Sequence, residues 1–166
     1  MTQGLQDRGK FLSMELIGYH HVDQVVDHYG EKLTFDGLMV GLAIGNHSDE
    51  HCRWAPESLE VIDVEGFAYS IGDDMATSMF SELLPGGWHA GYSLDSVNPN
   101  RKYRYAVYLK DFHSEPQMIT FEAQLSMLVD PTDVDMMQEW ERLEIDLSQA
   151  PNAATNVPEL KEAFSH

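Results

Sequence analysis

The densest group of potential metal ligands in the chain is Asn46-His47-Ser48-Asp49-Glu50-His51-Cys52. On a helix, His47 and His51 stand four residues apart on one face. That spacing presents two imidazole nitrogens to zinc or another transition metal, and Cys52 adds a thiolate. His20, His21 and His28 would join only if folding brought them near. The HExxH pattern of zinc proteases is absent, because Ser48 stands where its glutamate belongs. Asn-His-Ser-Asp also has the chemistry of a turn or a helix cap, which makes the same residues a polar surface loop. Two readings therefore stand for His47, His51 and Cys52: the centre of a small metal-dependent enzyme, or a loop.

Other catalytic patterns are missing. Gly91-Tyr92-Ser93-Leu94-Asp95 lacks the second glycine of a nucleophile elbow. Asp130-x-x-Asp133-x-Asp135 lacks the spacing and the glycine of a calcium loop. The pairs Asp73/Asp74 and Asp133/Asp135 sit where acids cap helices. No glycine-rich phosphate loop exists. No catalytic residue is assigned and no organic cofactor is expected; zinc or another transition metal is the one inorganic group the residues suit.

Charge says more. The 166 residues carry 28 Asp and Glu against 10 Lys and Arg, a formal charge of -18. Nucleic acid is bound by neutralising phosphates with Lys and Arg, so direct nucleic-acid binding is not expected. Trp54–Asn100 holds eight acids and no Lys or Arg, and Asp111–Glu162 holds twelve acids against Arg142 and Lys161. Four of the ten basic residues crowd into Arg101–Lys110. The excess reads in three ways: it keeps the protein soluble, it reflects a high-salt habitat, or it makes the chain an acidic protein-interaction module. Such a module is an inhibitor, immunity protein or nucleic-acid mimic that occupies a basic surface on a partner protein. The residues expected to meet it are Glu57, Glu60, Asp63, Glu65, Asp73, Asp74, Glu82 and Asp95, with Trp88 and Tyr92 as aromatic anchors after Pro85-Gly86-Gly87.

These residues need elements to hold them. Leu16, Ile17, Val22, Val25, Val26 and Tyr29 recur at helical spacing and predict a helix over 12–29, although Gly18 opposes it. Phe35–Ile44 is apolar and reads as a buried strand or a short packed helix. Leu59–Ile71 reads as a strand bent at Gly66, and Met75–Leu84 as a short helix. In Arg101–Asp111, Tyr103, Tyr105, Val107 and Leu109 share one face and Lys102, Arg104 and Lys110 the other. Gln117–Val129 alternates in the same way. Asp111–Pro116 between them predicts a hairpin. Pro131-Thr132-Asp133 opens a last helix carrying Met136, Met137, Trp140 and Leu143.

The expected fold class is α+β. One domain over 11–147 holds an antiparallel sheet built around the 101–111/117–129 hairpin, with helices before, between and after the strands. Residues 1–10 are expected to be a flexible arm and 148–166 a flexible tail. With Cys52 as the only cysteine, and neither a signal-like start nor a span of about 18 apolar residues, a cytoplasmic protein without membrane contact is expected.

In its helix–strands–helix–strands–helix order, small size and low pI, residues 12–147 resemble the single-effector chaperones of type III secretion. That resemblance implies an acidic homodimer that binds an unfolded stretch of its cargo.

Overall fold

The computed structural model describes residues 6–49, 52–71, 75–90, 96–127 and 137–149. It is a sandwich of two sheets, not an α+β domain. Sheet A contains β1 (Gln6–Arg8), β2 (Leu12–His28), β3 (Glu31–Asn46), β6 (Trp88–His89) and β8 (Arg101–Lys110), in the order β1-β2-β3-β8-β6. Sheet B contains β4 (Cys52–Asp63), β5 (Ala68–Ser70), β9 (Pro116–Met127) and β10 (Met137–Asp146), in the order β10-β9-β4-β5; β7 (Ser96–Val97) also pairs with β4. All neighbours are antiparallel except β6 and β8. The described helical residues are α1 (Met75–Met79), a continuing 3-10 turn at Phe80–Leu83, and a 3-10 turn at Leu147–Gln149.

The helix expected over 12–29 is strand β2, and a bulge explains the misleading spacing. The register with β3 shifts between Leu16 and Gly18. Before the shift, Leu12 and Met14 face the sandwich core; after it Tyr19 does, while Val22 and Val26 face the opposite side. One extra residue moves every later side chain to the other face. A period of two with a one-residue slip then imitates helical intervals. The turn to β3 is Tyr29-Gly30, both at positive φ (52° and 84°), as a two-residue hairpin with matching twist requires.

From Met137 onward the last expected helix is also a strand, and its start at 131–136 lies outside the described residues. In β10 Leu143 and Ile145 are buried while Arg142 and Glu144 are exposed, the alternation of a half-buried strand. Both strands of the expected 101–111/117–129 hairpin exist, but they do not pair. β8 lies against β3 in sheet A, and β9 lies between β4 and β10 in sheet B. The loop after Lys110 therefore crosses from one sheet to the other. The anticipated bend at Gly66 (φ 93°) is the turn between β4 and β5. The chaperone resemblance rested on the helix–strand order together with size and low pI, and the first of these supports is gone.

The core between the sheets joins Leu38, Val40, Leu42, Ile44, Tyr105 and Val107 of sheet A to Leu59, Val61, Ile119, Phe121, Leu143 and Ile145 of sheet B. A second core lies on the outer side of sheet A. There Phe35, Met39 and Tyr108 pack under Ala76, Phe80, Leu83 and Leu84 of the helical segment. β3 is thus covered on both faces, which is why Leu38–Ile44 reads as an unbroken run without a charged residue.

One lateral edge is closed by carboxylates. Glu141, 7% exposed, accepts the backbone N–H groups of Phe11 (2.6 Å) and Leu12 (2.9 Å), and Asp7 accepts that of Glu144 (2.9 Å). Glu141 thereby satisfies donors of the β1–β2 turn from sheet B, and Asp7 takes one donor of the edge strand β10. Of the arm expected over 1–10, residues 6–8 are β1. No described helix is long and apolar enough to cross a membrane.

Candidate functional site

Two places concentrate polar chemistry: the loop that crosses between the sheets, and the outer face of sheet B. The crossing loop, 111–115, follows β8. Asp111 adopts φ 64° and donates its N–H to the Asp36 carbonyl (2.7 Å). Gly37 permits this approach, because a Cβ there would collide with the Leu109 carbonyl oxygen. The Tyr108 hydroxyl accepts the Asp36 N–H (2.9 Å), fixing the same residue from the sheet side. His113 Nε2 lies 2.9 Å from Asp36 Oδ1. The candidate ligand atoms of Asp36, Asp111 and His113 all lie within 4.8 Å of one another.

The far half of the loop is anchored to sheet B. Ser114 donates its hydroxyl to Asp63 Oδ2 (2.7 Å), His21 Nε2 donates to the Ser114 carbonyl (2.8 Å), and Val64 donates to the Glu115 carbonyl (3.0 Å). Phe112 is fully buried, with its ring 4.4 Å from that of Tyr69. Asp63 is 1% exposed. The Ser114 hydroxyl, with the N–H groups of Phe67, Glu65 and Gly66, holds its carboxyl below the usual range, against the opposing effect of burial. Burial, and then the charge of Glu115, push the Tyr19 phenol up.

On sheet B the inward residues of each strand alternate with outward ones. The outward set includes Glu60 on β4, Thr120 and Glu122 on β9, and Arg142, Glu144 and Asp146 on β10. Glu60, Thr120 and Glu144 form one row across three strands, and Glu122 lies opposite Arg142. Arg142 bonds Glu144 on its own strand (Nη2 to Oε1 2.9 Å), so the one cation of this set is already engaged.

The sequence-derived sites fare unequally. Asn46 Oδ1 accepts the N–H and the hydroxyl of Ser48, so the Asn-His-Ser segment is a turn closing β3. His47 Nε2 lies 2.9 Å from the Gly9 carbonyl, and Cys52 begins β4. His51 lies outside the described residues, as do Asp73, Asp74, Tyr92 and Asp95. Glu57 falls at the bulge between Pro56 and Ser58 of β4. Asp63 is enclosed and fully bonded inside the fold, whereas Glu60 and Glu65 are exposed. Glu82 lies on the helical segment over sheet A, with its carboxylate 3.9 Å from His28. Trp88 is half buried against the core under that segment. The acidic stretch 54–100 is therefore continuous in sequence but divided in space: Glu60 faces out from sheet B, and Glu82 from the opposite side of the sandwich.

Sequence reasoning missed Asp36, Asp111 and His113. Asp36 and His113 are 77 residues apart, and only the pairing of β3 with β8 joins them. The short interval Asp111-x-His113 in a turn was the one local signal. Comparison with known proteins finds no matching family, no matching curated protein and no matching solved structure.

Proposed function

We propose that this protein is an acidic binding module that docks the outer face of sheet B onto a basic surface of a partner protein. The observation that carries this reading is the outward set Glu60, Glu122, Glu144 and Asp146, beside which Arg142, held by Glu144, is the one cation among the side chains described on that face. The face is set on three paired strands, so binding does not have to order the backbone that bears the charge. Its sign repels phosphates directly and suits an inhibitor, an immunity protein or a nucleic-acid mimic. The sequence-based docking tract is narrowed accordingly, to Glu60 from 54–100 and to Glu122, Glu144 and Asp146 from the C-terminal third.

The test compares capture of host proteins by the wild-type chain and by Glu60→Lys/Glu122→Lys, followed by kinetics with the purified partner. The expected result is a basic partner retained by the wild type and lost by the variant. Its association should slow steeply as salt rises. A partner that binds the variant equally well, or whose affinity is flat with salt, overturns the reading.

A further inference from the structure

We infer that Asp36, Asp111 and His113 form a binding site for a divalent transition ion, one that ties β3 to the loop crossing between the sheets. The donor set is one imidazole nitrogen and two carboxylates, a combination suited to zinc or manganese. Two donors at about 2.1 Å from an ion and at right angles to each other lie about 3.0 Å apart. Asp36 Oδ1 and His113 Nε2 stand at 2.9 Å, joined by a hydrogen bond whose proton the ion would replace. Two donors of one such ion can be no more than about 4.2 Å apart. The group's span of up to 4.8 Å therefore closes with a small swing of one carboxylate. Asp111 can supply it: its side chain is exposed and makes no hydrogen bond or ion pair among the described residues.

The backbone that carries these donors is fixed independently of any ion. Asp36 is held by Tyr108 and by the Asp111 N–H, and the loop beyond His113 is pinned through Ser114 to Asp63 and His21. The donors thus converge on a scaffold organised by other contacts, as a metal site requires. Two carboxylates converge there, and Lys110, next in sequence, makes no ion pair among the described residues to neutralise them. Three protein ligands facing solvent leave the other positions of the ion to water or to an outside donor. This site differs from the His47, His51 and Cys52 group and is independent of the sheet B face.

The test uses the full chain, stripped with chelator and titrated with Zn²⁺ and separately with Mn²⁺ by calorimetry and thermal melting. The expected result is one ion per chain for at least one of the two metals, at a Kd of about 10 µM or tighter, with a raised Tm. His113→Ala and Asp111→Asn should each weaken binding by at least about tenfold. Both positions are exposed, and asparagine tolerates the positive φ at 111, so the variants should keep the wild-type circular dichroism. His47→Ala should bind as the wild type does. Absence of stoichiometric uptake of both ions overturns the inference. So does uptake unchanged in both variants, or uptake lost in His47→Ala and kept in His113→Ala.

Discussion

The two outer faces of this sandwich solve the same problem in opposite ways. Sheet A carries hydrocarbon outward: Val22, Val26, Leu33, Phe35, Met39 and Tyr108 need a cover, and the segment from Ala76 to Leu84 supplies it. Sheet B carries Glu60, Thr120, Glu122 and Glu144 outward, and no described helical segment packs on that face. Covering a face fixes it by burial, while leaving it charged keeps it available. The difference separates the side of the molecule that holds the fold together from the side that can meet a partner. The few cations sharpen the contrast. Lys102 and Arg104 project from the outer face of sheet A, where the register sets them opposite Gly45 and Ala43 instead of acids.

The covered side should be the sensitive one. Phe80 is 3% exposed and packs against Phe35 and Tyr108, with ring centroids 6.1 Å and 5.9 Å away. Phe80→Ala should cost about 3–5 kcal/mol in a urea titration, from lost burial and the cavity left behind. A loss under about 1 kcal/mol would mean that the helical segment is a loose cover and that the contrast between the faces is false.

The edge acids form an intermediate case, because they are charged and yet structural. Glu141→Ala would leave the buried N–H groups of Phe11 and Leu12 without their acceptor, at about 1–3 kcal/mol each. Glu141→Gln keeps one acceptor oxygen and should lose less. Equal stability of the three proteins would show that water replaces the carboxylate and that the edge is open.

Asp63 contributes through pH. Its folded pKa lies below the ordinary carboxylate value, so the unfolded chain takes up its proton first on acidification. The stabilisation is present in full above the ordinary value of about 3.9, and is lost as pH falls from there through the depressed folded value. Unfolding free energies measured across that interval should fall more steeply for the wild type than for Asp63→Asn. Identical slopes would remove Asp63 as the anchor of the crossing loop.

What could be read from the sequence follows the same divide. Strand β8 was legible because both of its faces keep a regular period from Tyr103 to Leu109, and the helical segment 75–84 because acids of the capping type precede it in sequence and Pro-Gly-Gly follows it. β2 was not, since the bulge at Leu16–Gly18 breaks the period that reveals a strand. β10 was masked by an acidic, proline-led start that looks like a helix cap. The pairing of β8 with β3 instead of β9 depends on contacts remote in sequence, and with it went Asp36, Asp111 and His113. The turn chemistry of Asn46 and Ser48 was local, and was readable.

The smallest effect tests the charged face. Glu60 and Glu144 flank Thr120 in one row, two strand spacings or about 9.6 Å apart. Two like charges at that distance in water repel by about 0.4 kcal/mol, and by less at physiological salt, where the Debye length is about 8 Å. Glu60→Gln should therefore change stability by no more than about 0.5 kcal/mol, in the stabilising direction, while weakening attachment to a basic partner. A loss above about 1 kcal/mol would show that Glu60 is built into the fold. Its carboxylate would then serve sheet B itself, and the face would lose its strongest claim to being kept for something else.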